Sequence, residues 1–98
     1  MKQNTRSVSD LKWQITAGVL SSKIDDEIVL MSIEAGYYFS LDPVGTRIWE
    51  LLSEQPASIA DLVLLLTDEY DVSEETCRKD VESFIEIMVS KELISEAR

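Results

Sequence analysis

The sequence predicts an α+β domain of winged helix-turn-helix-like architecture, a three-stranded antiparallel β-meander followed by three α-helices. Three observations carry this. From Val19 to Leu41 β-branched and aromatic residues alternate with polar ones around two turn signals. At "LDPVGTRIWELL" the period changes from two to about 3.6. Helix-start signals at Asp42, Ser58 and Ser73 then divide the remainder into three segments.

Residues 1–12 are polar and aperiodic, with Val8 and Leu11 as their large apolar side chains, and are expected to form a flexible arm ahead of a domain spanning 13–98. The strands are expected over 19–24, 27–33 and 36–41, separated by Asp25-Asp26 and by Glu34-Ala35-Gly36. Gly36 is placed where the second turn needs a positive φ, which costs glycine nothing. Asp42 is the expected N-cap of the first helix and Pro43 its first residue, where a missing N–H is harmless. Ile48, Leu51 and Leu52 form its apolar stripe, with Val44 at the start and Trp49 beside it, and the helix should end near Ser53. Ser58 and Asp61 have capping-box spacing, opening a second helix to about Tyr70. Its run "IADLVLLL" suggests burial on several sides. Ser73 opens the third and longest helix, to about Lys91, with Cys77, Val81, Phe84, Ile85 and Met88 on its apolar face and Ile87 on the shoulder.

Ninety-eight residues, 45% hydrophobic, suit one domain with one core. No apolar run approaches the roughly 20 residues that cross a bilayer, and the N-terminus lacks the apolar core of a signal peptide. A cytoplasmic location is therefore expected. The lone Cys77 allows no disulfide within the chain and reads as a small packing residue. Nineteen acidic against nine basic residues give a formal charge of −10. Such a body repels phosphate backbones and anionic membranes, so neither nucleic acid nor membrane is an expected partner, whereas a peptide or protein bearing Lys or Arg is drawn inward.

Catalysis finds little support. The chain has no histidine and one cysteine, which excludes a Cys/His zinc site and a Cys–His nucleophile pair. The acidic cluster Asp25, Asp26 and Glu27 falls on a hairpin turn, where such residues are ordinary. Gly18, Gly36 and Gly45 are too far apart for a phosphate loop. No cofactor, no metal and no enzymatic activity are expected; binding remains. A winged-helix transcription regulator is one alternative, but Ser73 to Glu92, the segment that would enter a major groove, carries six acids against three bases.

"IVLMSIEAGYYFSLDPVGTRIWELL", followed by an apolar helix, "EYDVSEE" and an apolar-faced last helix, resembles the PqqD family of precursor-peptide recognition elements, which serve ribosomally made, post-translationally modified peptides. The matching features are the apolar second strand, Gly36 with aromatics after it, the "L-[ND]-x-x-[GA]" run met by Leu41, Asp42 and Gly45, and Ile48-Trp49 with Leu51 and Leu52. The resemblance covers about residues 19–95. The "YYFSLD…IW" version is similar to the stand-alone recognition proteins of lasso-peptide pathways, which present a precursor's leader peptide to a cysteine leader peptidase and an ATP-dependent macrolactam-forming cyclase. Aspartate at Asp42, where asparagine is commoner, and an unusually acidic last helix depart from the pattern. A radical-enzyme pathway, as for the quinone cofactor behind the family's name, is the close alternative.

The resemblance implies that a leader adds as an antiparallel strand to the third strand and lays side chains into a groove against the last helix. The chain has the means: in a meander the third strand lies at an edge and leaves alternate backbone groups unpaired. Tyr37, Phe39 and Leu41 are expected to face the helices, with Leu41 and Trp49 serving mainly the core, while Tyr38 and Ser40 lie on the outer face. On the helix Val81, Phe84, Ile87 and Met88 are the expected groove wall, with Asp80 at its mouth.

Overall fold

The computed structural model describes residues 11–97. The arm expected over 1–12 lies almost wholly outside them, and its last residue, Lys12, already belongs to a strand. The elements in order are β1 (Lys12–Ile15), β2 (Val19–Ile24), β3 (Glu27–Ser32), β4 (Tyr37–Ser40), α1 (Pro43–Glu54), β5 (Ala57–Ser58), α2 (Ile59–Glu69), α3 (Glu74–Ser90) and β6 (Ile94–Glu96). The expected meander is present as an antiparallel sheet in the order β2-β3-β4. Asp25, at φ 58°, and Gly36, at φ 75°, supply the left-handed residues of its two turns.

A second three-stranded sheet, β5-β1-β6, adds to the expected architecture. Trp13 pairs with Ala57 on one side and Glu96 on the other, so a four-residue strand ties the α1–α2 connection to the C-terminal segment. Strands of two and three residues carry too little alternation to be seen in sequence.

All three helices begin at the expected caps. Asp42 accepts from the Gly45 N–H at 2.7 Å, Ser58 and Asp61 close a capping box, and Ser73 accepts from the Thr76 N–H at 3.2 Å. The core joins Ile28 and Leu30 of the meander to Ile48, Trp49 and Leu52 of α1, to Leu62 and Leu66 of α2, and to Cys77, Val81, Ile85 and Met88 of α3. The expectation that α2 is buried on several sides is corrected: Ile59, Leu62, Val63 and Leu66 form one buried face, while Leu64 is 72% exposed and Leu65 also faces solvent. Eight consecutive mostly apolar residues exceed what one helix face can bury.

Thr46 holds the meander to α1. Its buried hydroxyl accepts from the Ile28 N–H at 3.0 Å, replacing the ladder partner that Ile28 lacks at the strand end. Beyond it β2 hangs outward, with only Val19 partly buried, and Lys23 reaches Glu50 of α1 at 2.8 Å.

Candidate functional site

Among the described residues no strand pairs with the outer side of β4, which is the sheet's last strand, and its hydrogen-bonding register follows from the ladder. Leu41 donates its N–H to the Ile28 carbonyl at 2.9 Å. Paired positions in an antiparallel ladder alternate between bonded and non-bonded, so Phe39, opposite Leu30, is a bonded position. Tyr38 and Ser40, opposite Met31 and Val29, are the non-bonded ones. Their N–H and C=O groups therefore point away from β3, toward the free edge.

Side-chain alternation divides the same residues differently. Phe39 is partly buried against the core beside Leu30, and Leu41 is buried. Tyr38, 71% exposed, and Ser40 lie on the outer face. The side chain of Tyr37 lies outside what the structure describes.

Between β4 and α3 runs a groove of about 370 Å³. Phe39, Ser40 and Leu41 form one wall, while Asp80, Phe84, Ile87 and Met88 contribute the other. Of the helix residues expected there, Val81 is placed differently: it does not border the groove and is fully buried in the core, whereas Met88, equally buried, still borders the groove floor. Val81 shares the buried stripe of α3 with Cys77, Ile85 and Met88. Phe84 is half-buried, and Ile87 is largely open to solvent.

The start of α1 supplies residues that sequence reasoning did not assign to the site. Asp42, Val44, Gly45 and Ile48 line the groove, as does Ser83 of α3. The signal for Gly45 was present in the "L-[ND]-x-x-[GA]" spacing. A Cβ built on Gly45 would lie 3.0 Å from Phe84 Cε1, so the absent side chain lets this ring lie against α1. Lys91 Nζ stands 5.0 Å from the centre of the Phe39 ring and steadies it by a cation–π contact. Asp42 and Asp80 place two carboxylates at the groove.

The arrangement suits an extended, partly apolar peptide. Outward N–H and C=O groups two residues apart match those of an added strand, and the trough beside them takes alternate side chains. Burial, and to a smaller degree Asp80, push the thiol of the buried Cys77 above its ordinary pKa. Among the described residues no group of His, Cys, Asp or Glu is gathered to hold a metal ion, and no helix is long and apolar enough to cross a membrane.

Comparison with known proteins gives a consistent result. The family described as coenzyme PQQ synthesis protein D (PqqD) matches residues 27–94. A solved structure described as TbiB1 in complex with the TbiA(beta) leader peptide is 38% identical over 87% of this chain and 98% of that chain, with a TM-score of 0.79. A second, described as lasso peptide synthetase B1 complexed with the leader peptide, is 20% identical over 85% of this chain and 96% of that chain, with a TM-score of 0.71, and shares the fold. No curated protein matches.

Proposed function

The chain belongs to the PqqD family, and we propose that it is a non-catalytic recognition element that binds the leader segment of a ribosomally made precursor peptide. The leader adds antiparallel to β4, bonding to the outward groups of Tyr38 and Ser40, and sets apolar side chains into the groove walled by Phe39, Leu41, Phe84, Ile87 and Met88. The observation that carries this reading is the open edge of β4 running directly beside an apolar groove. A partner strand satisfies both at once, which a ligand bound to either alone does not.

The pathway is the lasso-peptide one in this proposal. Leader binding is supported by the relative at 38% identity, a leader-peptide complex of TbiB1, and the lasso assignment by the resemblance of "YYFSLD…IW" to the stand-alone recognition proteins of such pathways; the chain hands its bound leader to a cysteine leader peptidase and an ATP-dependent macrolactam-forming cyclase. A quinone-cofactor pathway is favoured by one observation, the description of the matching family. The peptidase separates the two: this chain should accelerate leader cleavage by a lasso-type peptidase, and an unchanged rate would favour the alternative.

Binding itself is tested by titrating the domain with synthetic TbiA(beta) leader peptide and following amide exchange. Residues 36–41 should become protected, with Tyr38 and Ser40 changing most. Saturable binding with unaltered exchange in this strand would remove strand addition. Retardation of duplex DNA in a low-salt gel shift would instead restore the transcription-regulator reading, against the charge of −10.

A further inference from the structure

A second recess, of about 1140 Å³, opens where α3 ends. The β3–β4 turn, with Ile33 and Glu34, forms one side, and Val89, Glu92 and Ile94 form the other. Trp13, Thr16 and Val19 also line it, so the small β5-β1-β6 sheet builds part of its wall. The recess is mainly apolar, and Ile33 stands 69% exposed beside it.

Its position relative to the groove fixes what can reach it. The groove is bounded by the end of β4 and residues 80–88 of α3, whereas the recess is bounded by the turn before β4 and by residues that follow 88. Going from groove to recess is therefore going backward along β4 and forward along α3. A strand antiparallel to β4 travels in that direction, so the residues that follow its paired stretch arrive at the recess.

We propose that this recess is a second subsite, occupied by the leader residues immediately C-terminal to the stretch that pairs with β4, and that it takes an apolar side chain together with a Lys or Arg. The inference rests on the strand-addition reading. Ile33, Val89 and Val19 supply apolar contact, and the three carboxylates of the lining, Glu34, Glu92 and Glu96, outnumber its one cation, Lys91, leaving a net negative charge that complements the basic residue. Among the described residues Trp13 Nε1 and Thr16 Oγ1, on residues of the same wall, have no hydrogen-bond partner. A buried donor left this way carries a desolvation cost that a nearby peptide carbonyl relieves after a small rotation.

Glu92 makes the subsite separable from folding. It follows the C-cap of α3 at φ 61°, the left-handed position where glycine is usual and a side chain is strained. Glu92→Gly should therefore leave the fold intact or make it more stable. Ile33→Ser, at an exposed turn position, should likewise leave folding unaltered.

The test uses synthetic TbiA(beta) leader peptide at full length, the same peptide cut at the end of the stretch protected with β4, and a third cut from the N-terminal side instead. The full-length peptide should bind at least fivefold more tightly than the C-terminally cut one. Glu92→Gly and Ile33→Ser should erase that gain and leave the affinity of the cut peptide unchanged. Equal affinity of the full-length and C-terminally cut peptides, a gain that survives both substitutions, or a gain supplied only by the N-terminal side would overturn the second subsite while leaving the groove. Absence of binding by every peptide would instead overturn the strand-addition reading beneath it.

Discussion

Gly45→Ala isolates the groove from the core. The added Cβ would lie 3.0 Å from Phe84 Cε1, 3.3 Å from Phe84 Cδ1 and 3.1 Å from Asp42 Oδ1. Carbon atoms rest at about 3.5–4.0 Å, so the ring must retreat by roughly 0.5–1 Å. Phe84 is half-buried and lines the groove, so its free direction is into that space. In a closed core such overpacking costs about 1–3 kcal/mol; with an open side the lower end applies. Alanine in place of glycine within a helix returns up to about 1 kcal/mol. Stability should therefore change by no more than about 1 kcal/mol, a Tm shift within about 4–8 °C. Affinity has no such offset. A central aromatic often accounts for about 2 kcal/mol or more of a peptide interface, and displacing it should weaken leader binding about 5- to 30-fold at about 1.4 kcal/mol per tenfold. Thermal melting by circular dichroism and calorimetric titration with the leader read the two quantities separately. A cooperative fold with unchanged affinity would show that the leader does not use this groove, and a collapse of Tm would show that Phe84 has no room to yield.

The remaining expectations use the same assays. Phe84→Leu keeps most of the apolar volume, so the domain should stay folded while leader affinity falls several-fold; an unchanged affinity would place the anchor elsewhere. Tyr38→Pro removes an outward N–H and should weaken binding with a modest effect on stability, whereas Phe39→Pro deletes a ladder bond to Leu30 and should destabilise the fold itself. Equal effects of the two prolines would refute the derived register. Arg47 Nη2 meets Glu69 Oε2 at 2.6 Å and Arg47 Nε meets Oε1 at 2.8 Å, and these hydrogen bonds hold the Glu69 carboxyl below its ordinary value of 4.5. A depressed carboxylate contributes stability that is complete above 4.5 and is lost as the pH falls through the lowered folded value. The pair is partly exposed, so Glu69→Gln should cost at most about 1 kcal/mol at neutral pH, and the difference should vanish in acid. A difference that persists below that window would assign the effect to packing.

Sequence reasoning located the meander, the three caps and most of the groove because each has a local cause. Asp42, Ser58 and Ser73 satisfy backbone donors within three residues of themselves, and strand alternation needs no distant partner. The second sheet has no such local signal: Trp13 is fixed only by pairing with Ala57 and Glu96, which chain folding brings to it. Val81 was misplaced for a related reason. Helical spacing makes Val81, Phe84 and Met88 neighbours, but which of them is covered depends on how the helix is rolled against its neighbours, and that roll is a property of the packed core. Gly45 was legible as a motif residue and not as a cause, because its role is defined by the ring of Phe84 across the groove.

The edge that receives a peptide would also receive another copy of the chain, and the charge separates these outcomes. Leu20, Met31 and Tyr38 form a cross-strand row on the outer face of the same sheet, so both the free edge and the face beside it favour association. A formal charge of −10 on each copy opposes self-pairing while attracting a leader that carries Lys or Arg. That repulsion acts over about 8 Å at physiological salt and about 3 Å at 1 M. The free domain should therefore remain monomeric at neutral pH and physiological salt, and associate at 1 M salt or as the pH approaches its isoelectric point of about 4.3. Sedimentation velocity, run with and without bound leader at 1 M salt, tells which surface is responsible. If the β4 edge is the route, a bound leader caps it and holds the chain monomeric; association that proceeds equally with the leader in place would assign it to the outer face and leave the edge without this hazard.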